Sequence, residues 1–171
     1  MLAAAAHESS AGYDIVLVAH VLSAVVAAVA VGTAAGSALA LRAALRADRP
    51  IGSSLERYYR PGINWAGRTL MLVPVLGVAL VFMSGGQWTM ADPWVSAGLA
   101  LWLAAAIVAE SLLWPAERRL QADVAAGVDP GSPNRSVELQ VLLCIRTAAM
   151  GIGILVALVA ATVLMVAKPG G

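Results

Sequence analysis

Between Ile15 and Leu41 the chain runs for 27 residues without an Asp, Glu, Lys or Arg side chain. As a helix, at 1.5 Å per residue, such a run is about 40 Å long, more than the roughly 30 Å hydrocarbon core of a bilayer. In lipid only a helix or a closed barrel keeps its backbone hydrogen-bonded, so this feature restricts the chain more than any other. Three further apolar stretches follow, and the spans read as about 15–41, 67–86, 94–114 and 138–167. The expected fold is all-α: a polytopic membrane protein, a four-transmembrane-helix bundle forming one domain over residues 1–171. No polar segment is long enough to make a second domain. Composition agrees, with 60% hydrophobic residues, 12% charged residues and a mean hydropathy of +0.82, outside the range of ordinary soluble domains. The lipid bilayer is therefore the first expected partner.

The net charge of +1 gives no reason to expect a nucleic acid partner. The basic residues have a topological explanation instead, because cytoplasmic loops retain positive charge during insertion. Arg42, Arg46, Arg49, Arg57 and Arg60 lie between spans one and two, and Arg118, Arg119 and Arg135 between spans three and four. Arg68 and Arg146 fall at the same end, whereas the hairpin from Gly85 to Pro93 has no basic residue and only Lys168 falls on the other side. This predicts an N-out/C-out protein that passes the cytoplasmic (inner) membrane four times. The segment Met1 to Asp14 lacks the basic region of a cleavable signal, so the first span is read as retained. High alanine and glycine point to a GC-rich bacterial genome.

Local signals place the element ends. Asp14 and Ser136 are candidate N-caps, and Asp92 followed by Pro93 suits the cap and first position of span three. Leu41 to Arg49 and Pro115 to Gly127 continue spans one and three, up to Pro50 and a turn at Asp129, Pro130 and Gly131. Leu55, Tyr58 and Tyr59 alternate with Glu56, Arg57 and Arg60, the pattern of a short surface helix with arginines near anionic headgroups. Trp65 and Trp114 mark the inner interface, Trp88 and Trp94 the outer one, and Trp102 lies deeper as a packing residue. Pro74 deprives the Leu70 carbonyl of its helical donor, so a kink is expected there.

Few side chains inside the spans carry chemistry. His20 sits roughly 9 Å below the start of span one. It reads either as a neutral imidazole bonded to a neighbouring helix, or as a ligand for haem b or a metal, with Met83 and Met165 as second ligands from the outer halves of spans two and four. His7 lies in the outer tail. Glu110, close to Arg68 and Arg146 by topology, reads as the centre of a structural charge cluster, with a proton-relay carboxylate as the alternative. Ala28, Gly32 and Gly36 share one helical face and permit close approach of another helix, within the bundle or from a protein partner or second copy in a homo-oligomer. Gly151 and Gly153 form a lesser version. Cys144, the single cysteine, reads as a buried small hydrophobe. There is no glycine-rich phosphate loop, zinc-protease motif, nucleophile elbow or Cys-x-x-Cys pair.

Two stretches, LVAHVLSAVVAAVAVGTAAG from Leu17 and ESLLWPAERRLQ from Glu110, resemble the bacterial predicted integral membrane proteins grouped as domain of unknown function family 2269. The resemblance implies the four-span layout over nearly the whole chain and lends no activity. More distantly, a histidine followed by small residues on the first span is similar to copper-resistance D-type membrane domains and four-helix haem-containing protoporphyrinogen oxidases; only His20 carries over. The functional expectation is a small membrane protein without enzymatic activity, acting by helix packing as an accessory or assembly component. The alternative is a haem-binding or metal-handling redox protein using His20.

Overall fold

A computed structural model describes residues 11–127 and 135–168. His7 and the expected turn at Asp129, Pro130 and Gly131 lie outside the described residues. Four helices are long and apolar enough to cross a membrane. The first, α1 (Ala11–Arg46), has 36 residues; a short helix, α2 (Ser53–Tyr58), follows. Then come α3 (Trp65–Met83) and α4 (Pro93–Ala125), and α5 (Arg135–Ala167) closes the bundle.

The helix ends follow local chemistry, in places differently from the sequence reading. α1 and α4 extend into the expected continuations but end at Arg46 and Ala125, short of Arg49 and Gly127, with Asp48 and Gly127 at positive φ just beyond. Asp14 lies inside the first turn of α1 rather than ahead of it, where a carboxylate faces the positive end of the helix dipole. α5 has already begun at Arg135, one residue before the Ser136 expected to cap it. α3 stops at Met83 because the following residues include Gly85 and Gly86 at positive φ, 64° and 88°. That backbone is cheap only without a Cβ. Asp92 flanks α4 with Pro93 in its first turn, but the side chain makes no cap bond to that helix. Its Oδ2 instead accepts the Thr89 amide at 2.6 Å and closes the hairpin turn.

Packing is built on small residues. In the main core, Ala27 and Val31 of α1 meet Leu70, Ala105, Ala109, Leu113 and Ile154. A second cluster at the arginine-rich end joins Leu41, Tyr59, Leu120 and Cys144, with the thiol fully buried as expected. Large apolar side chains such as Ile15, Leu22, Val25 and Val29 lie on the outside. That inversion costs nothing when the surroundings are acyl chains.

Candidate functional site

Polar side chains inside the bundle are the places where function could reside; of the buried ones, His20 and Glu117 bond to other helices, whereas Thr147 and Ser84 bond to carbonyls near them in the chain. His20 is buried, with Nδ1 2.8 Å from the Val73 carbonyl oxygen of α3. A carbonyl only accepts, so Nδ1 carries the hydrogen and, in the neutral ring, Nε2 keeps the lone pair. The ring lies on Gly77, where an added Cβ would sit 3.2 Å from His20 Cε1. A glycine is therefore what lets the imidazole reach the α3 backbone.

One turn away, Pro74 has no N–H to offer the Leu70 carbonyl. Trp102 of α4 supplies the missing donor, Nε1 to Leu70 O at 2.8 Å, and the turn Thr69–Met71 tightens to a 3-10 geometry. Trp102 is thus more than packing. It repairs a backbone carbonyl that lipid could not satisfy.

Arg68 and Glu110 meet as expected, Nη1 to Oε1 at 2.9 Å. The guanidinium also lies over the Trp114 ring, 3.7 Å from its centroid. The local cause is Pro115, which leaves the Ser111 carbonyl without a helical donor. The preceding turn Ala109–Leu113 widens to a π geometry in which the Trp114 amide reaches back to the Ala109 carbonyl. One expectation is corrected here. Arg146 does not join the cluster: it is exposed on α5, and the ion pair among the described residues joins only Arg68 and Glu110. Trp114, read as marking the inner interface, is buried within the bundle at 4% exposure and held under Arg68, whereas Trp65 is 73% exposed.

Met165 places its methyl 3.5 Å from the Cβ position of Gly98 on α4, and Met83 is exposed at the end of α3. Among the described residues no group of three His, Cys, Asp or Glu side chains could hold a metal ion.

The small-residue face is displaced from the one expected. Gly36 is open, with nothing within 4 Å of the place a Cβ would take, and Gly32 meets only Leu155 Cδ1 at 3.7 Å. Ala28 is half-buried. The buried stripe is Ala27, Val31, Ala34, Ala35 and Ala38. Its closest approach is at Gly151, where a Cβ would lie 3.0 Å from Ala35 Cβ and 3.4 Å from the Val31 carbonyl oxygen. The seam between α1 and α5 therefore lies about one residue away from the glycines that advertise it.

Each end of the bundle has a further cluster. At the arginine-rich end, Glu117 is buried at 5% exposure and accepts the Tyr58 hydroxyl at 2.6 Å and, more weakly, the Asn64 amide at 3.4 Å. Burial, reinforced by the bond to Glu117, raises the Tyr58 pKa well above the ordinary phenol range; burial does the same for Tyr59. At the other end Trp88 and Trp94 stack edge to face at 5.2 Å, and Lys168 Nζ lies 4.0 Å from the Trp88 ring centroid.

A family model described as a predicted integral membrane protein (DUF2269) matches residues 14–169. The chain belongs to this family. Comparison with curated proteins and with solved structures finds no match. Within this DUF2269 chain the two stretches that carry the resemblance also carry contacts between helices. The first bears His20 and the greater part of the Ala27 to Ala38 stripe. The second bears Glu110, Trp114, Glu117 and Leu120, which engage Arg68, Tyr58 and the second core cluster. Sequence reasoning missed Gly77, Glu117 and the role of Trp102. The signal for Trp102 was present, because a proline inside a span announces a carbonyl in need of a donor.

Proposed function

We propose that this DUF2269 protein is a non-enzymatic scaffold of the cytoplasmic membrane, crossing four times with both termini outside and serving as an accessory or assembly component through its packed helices. The observation that carries this reading is the His20 contact: the one imidazole within the spans donates to the Val73 carbonyl and rests on Gly77. The Arg68–Glu110 and Trp102–Leu70 contacts support it in the same way, since each commits a polar group of one helix to another helix. An ionisable group spent on holding helices together needs no substrate to explain its presence in lipid.

One observation favours the haem or metal alternative. A histidine whose Nδ1–H is fixed by a carbonyl presents Nε2 as a ligand, the orientation common in ligating histidines. A visible absorption spectrum of the detergent-purified protein separates the readings. The scaffold predicts a colourless wild type, a stability loss in His20→Ala and partial recovery in His20→Gln, whose amide can still donate to Val73. A stoichiometric Soret band lost in both variants would establish the alternative.

A further inference from the structure

The arginine-rich end holds a cleft of about 460 Å³ between α2 and the far end of α4. Arg57, Arg60, Glu56 and Ser53 line it, with Val124 and Ala125 on the α4 side. Glu56 stands one helical turn before Arg60, yet neither Arg57 nor Arg60 has an ion-pair partner among the described residues. Two exposed arginines that line one cleft, neither of them in an ion pair, suit the oxygens of a phosphate group. The lining charges, two positive and one negative, leave a net of +1, which matches a singly charged phosphate diester better than a dianion. The Glu56 carboxylate and Ser53 hydroxyl are then available to accept hydrogen bonds from hydroxyls on the ester substituent.

Position indicates where such a group would come from. α2 is pinned to α4 through Tyr58 and Glu117, which fixes the cleft at one end of the spans. The chain leaving Arg60 presents Ile63 and Trp65 with 62% and 73% of their surface exposed. An exposed tryptophan and isoleucine next to paired arginines is the arrangement of a segment seated among lipid headgroups and the upper acyl chains.

We propose that this cleft binds the phosphodiester of a hydroxylated, singly charged headgroup, phosphatidylglycerol being the simplest example. The inference goes beyond the scaffold reading and holds in whichever leaflet this end lies. The test compares thermal melting of the full-length protein in nanodiscs of phosphatidylcholine and of phosphatidylglycerol mixed with phosphatidylcholine. Arg57→Gln/Arg60→Gln serves as the site variant, and Arg118→Gln/Arg119→Gln, which alters arginines outside the cleft, as the charge control. The expected result is a rise of several degrees with phosphatidylglycerol in the wild type and the control, lost in the site variant. A rise produced by soluble glycerophosphoglycerol in phosphatidylcholine discs would retain the site but assign it to a free phosphodiester. Native mass spectrometry of the wild type, which needs no variant to fold, should retain about one phosphatidylglycerol per protomer. Equal melting in all discs with no retained lipid, or the same increment in the site variant as in the wild type, would overturn the proposal.

Discussion

His20 and Gly77 are two halves of one contact, so changes at either should depend on the other. Gly77→Ala puts a methyl 3.2 Å from His20 Cε1, and the ring cannot retreat without breaking its bond to the Val73 carbonyl. The expected cost is about 1 to 3 kcal/mol, the usual range for overpacking. In a His20→Ala background the same substitution should cost far less, so a double-mutant cycle in detergent should give a clear coupling energy; additive losses would dissolve the contact. Trp102→Phe keeps an aromatic ring but strands the Leu70 carbonyl, with an expected loss of about 1 kcal/mol. Trp65→Phe at an exposed position should leave thermal stability unchanged. At this scale the sequence was legible where a residue type is expensive in lipid. His20 and Glu110 stood out because ionisable groups at depth need a reason, and the Arg68–Glu110 pair followed from topology. Gly77 was silent, because a glycine in an apolar run does not say which side chain it makes room for. Arg146 was misplaced because loop topology fixes the end at which a residue lies, but not the face of its helix.

Helix ends and helix faces were legible to different degrees. The four apolar stretches, the continuations of α1 and α4 and the short helix α2 are visible in hydropathy, breakers and alternation. The packing face of α1 is not, because in an alanine-rich helix almost every face offers small residues and the partner's glycine decides which one is used. Gly151→Ala should therefore cost about 1 to 3 kcal/mol through collision with Ala35 and the Val31 carbonyl. Gly153→Ala and Gly36→Ala, at open positions, should be neutral or gain up to about 1 kcal/mol in helix propensity. The reverse order in chemical denaturation would place the seam on the other face. The docking of α2 should be sensitive to alkali. Burial, then the Glu117 bond, raises the Tyr58 pKa, so the fold favours the neutral phenol. That contribution is fully present below the ordinary phenol pKa of about 10 and is lost as the pH rises beyond it. In a Tyr13→Phe background, phenolate absorbance should stay suppressed above that pH until α2 releases. Ordinary titration of Tyr58 and Tyr59 with the bundle intact would contradict this.

The whole molecule is a bundle with two unlike ends. One end gathers Arg57, Arg60, Arg118 and Arg119 around a buried carboxylate and two tyrosines; the other closes on a tryptophan pair and a single lysine. Charge asymmetry of this kind sets orientation during insertion. The proposed orientation, with both termini outside, rests on this asymmetry. The most direct measurement is a topology map with reporters that are active only outside the cytoplasm or only within it, fused after Gly171, within the Gly85 to Pro93 hairpin, and after Arg119. An even number of crossings with the arginine-rich end inside predicts outside activity at Gly171 and in the hairpin, and inside activity at Arg119. Inside activity at Gly171 together with outside activity at Arg119 would contradict it.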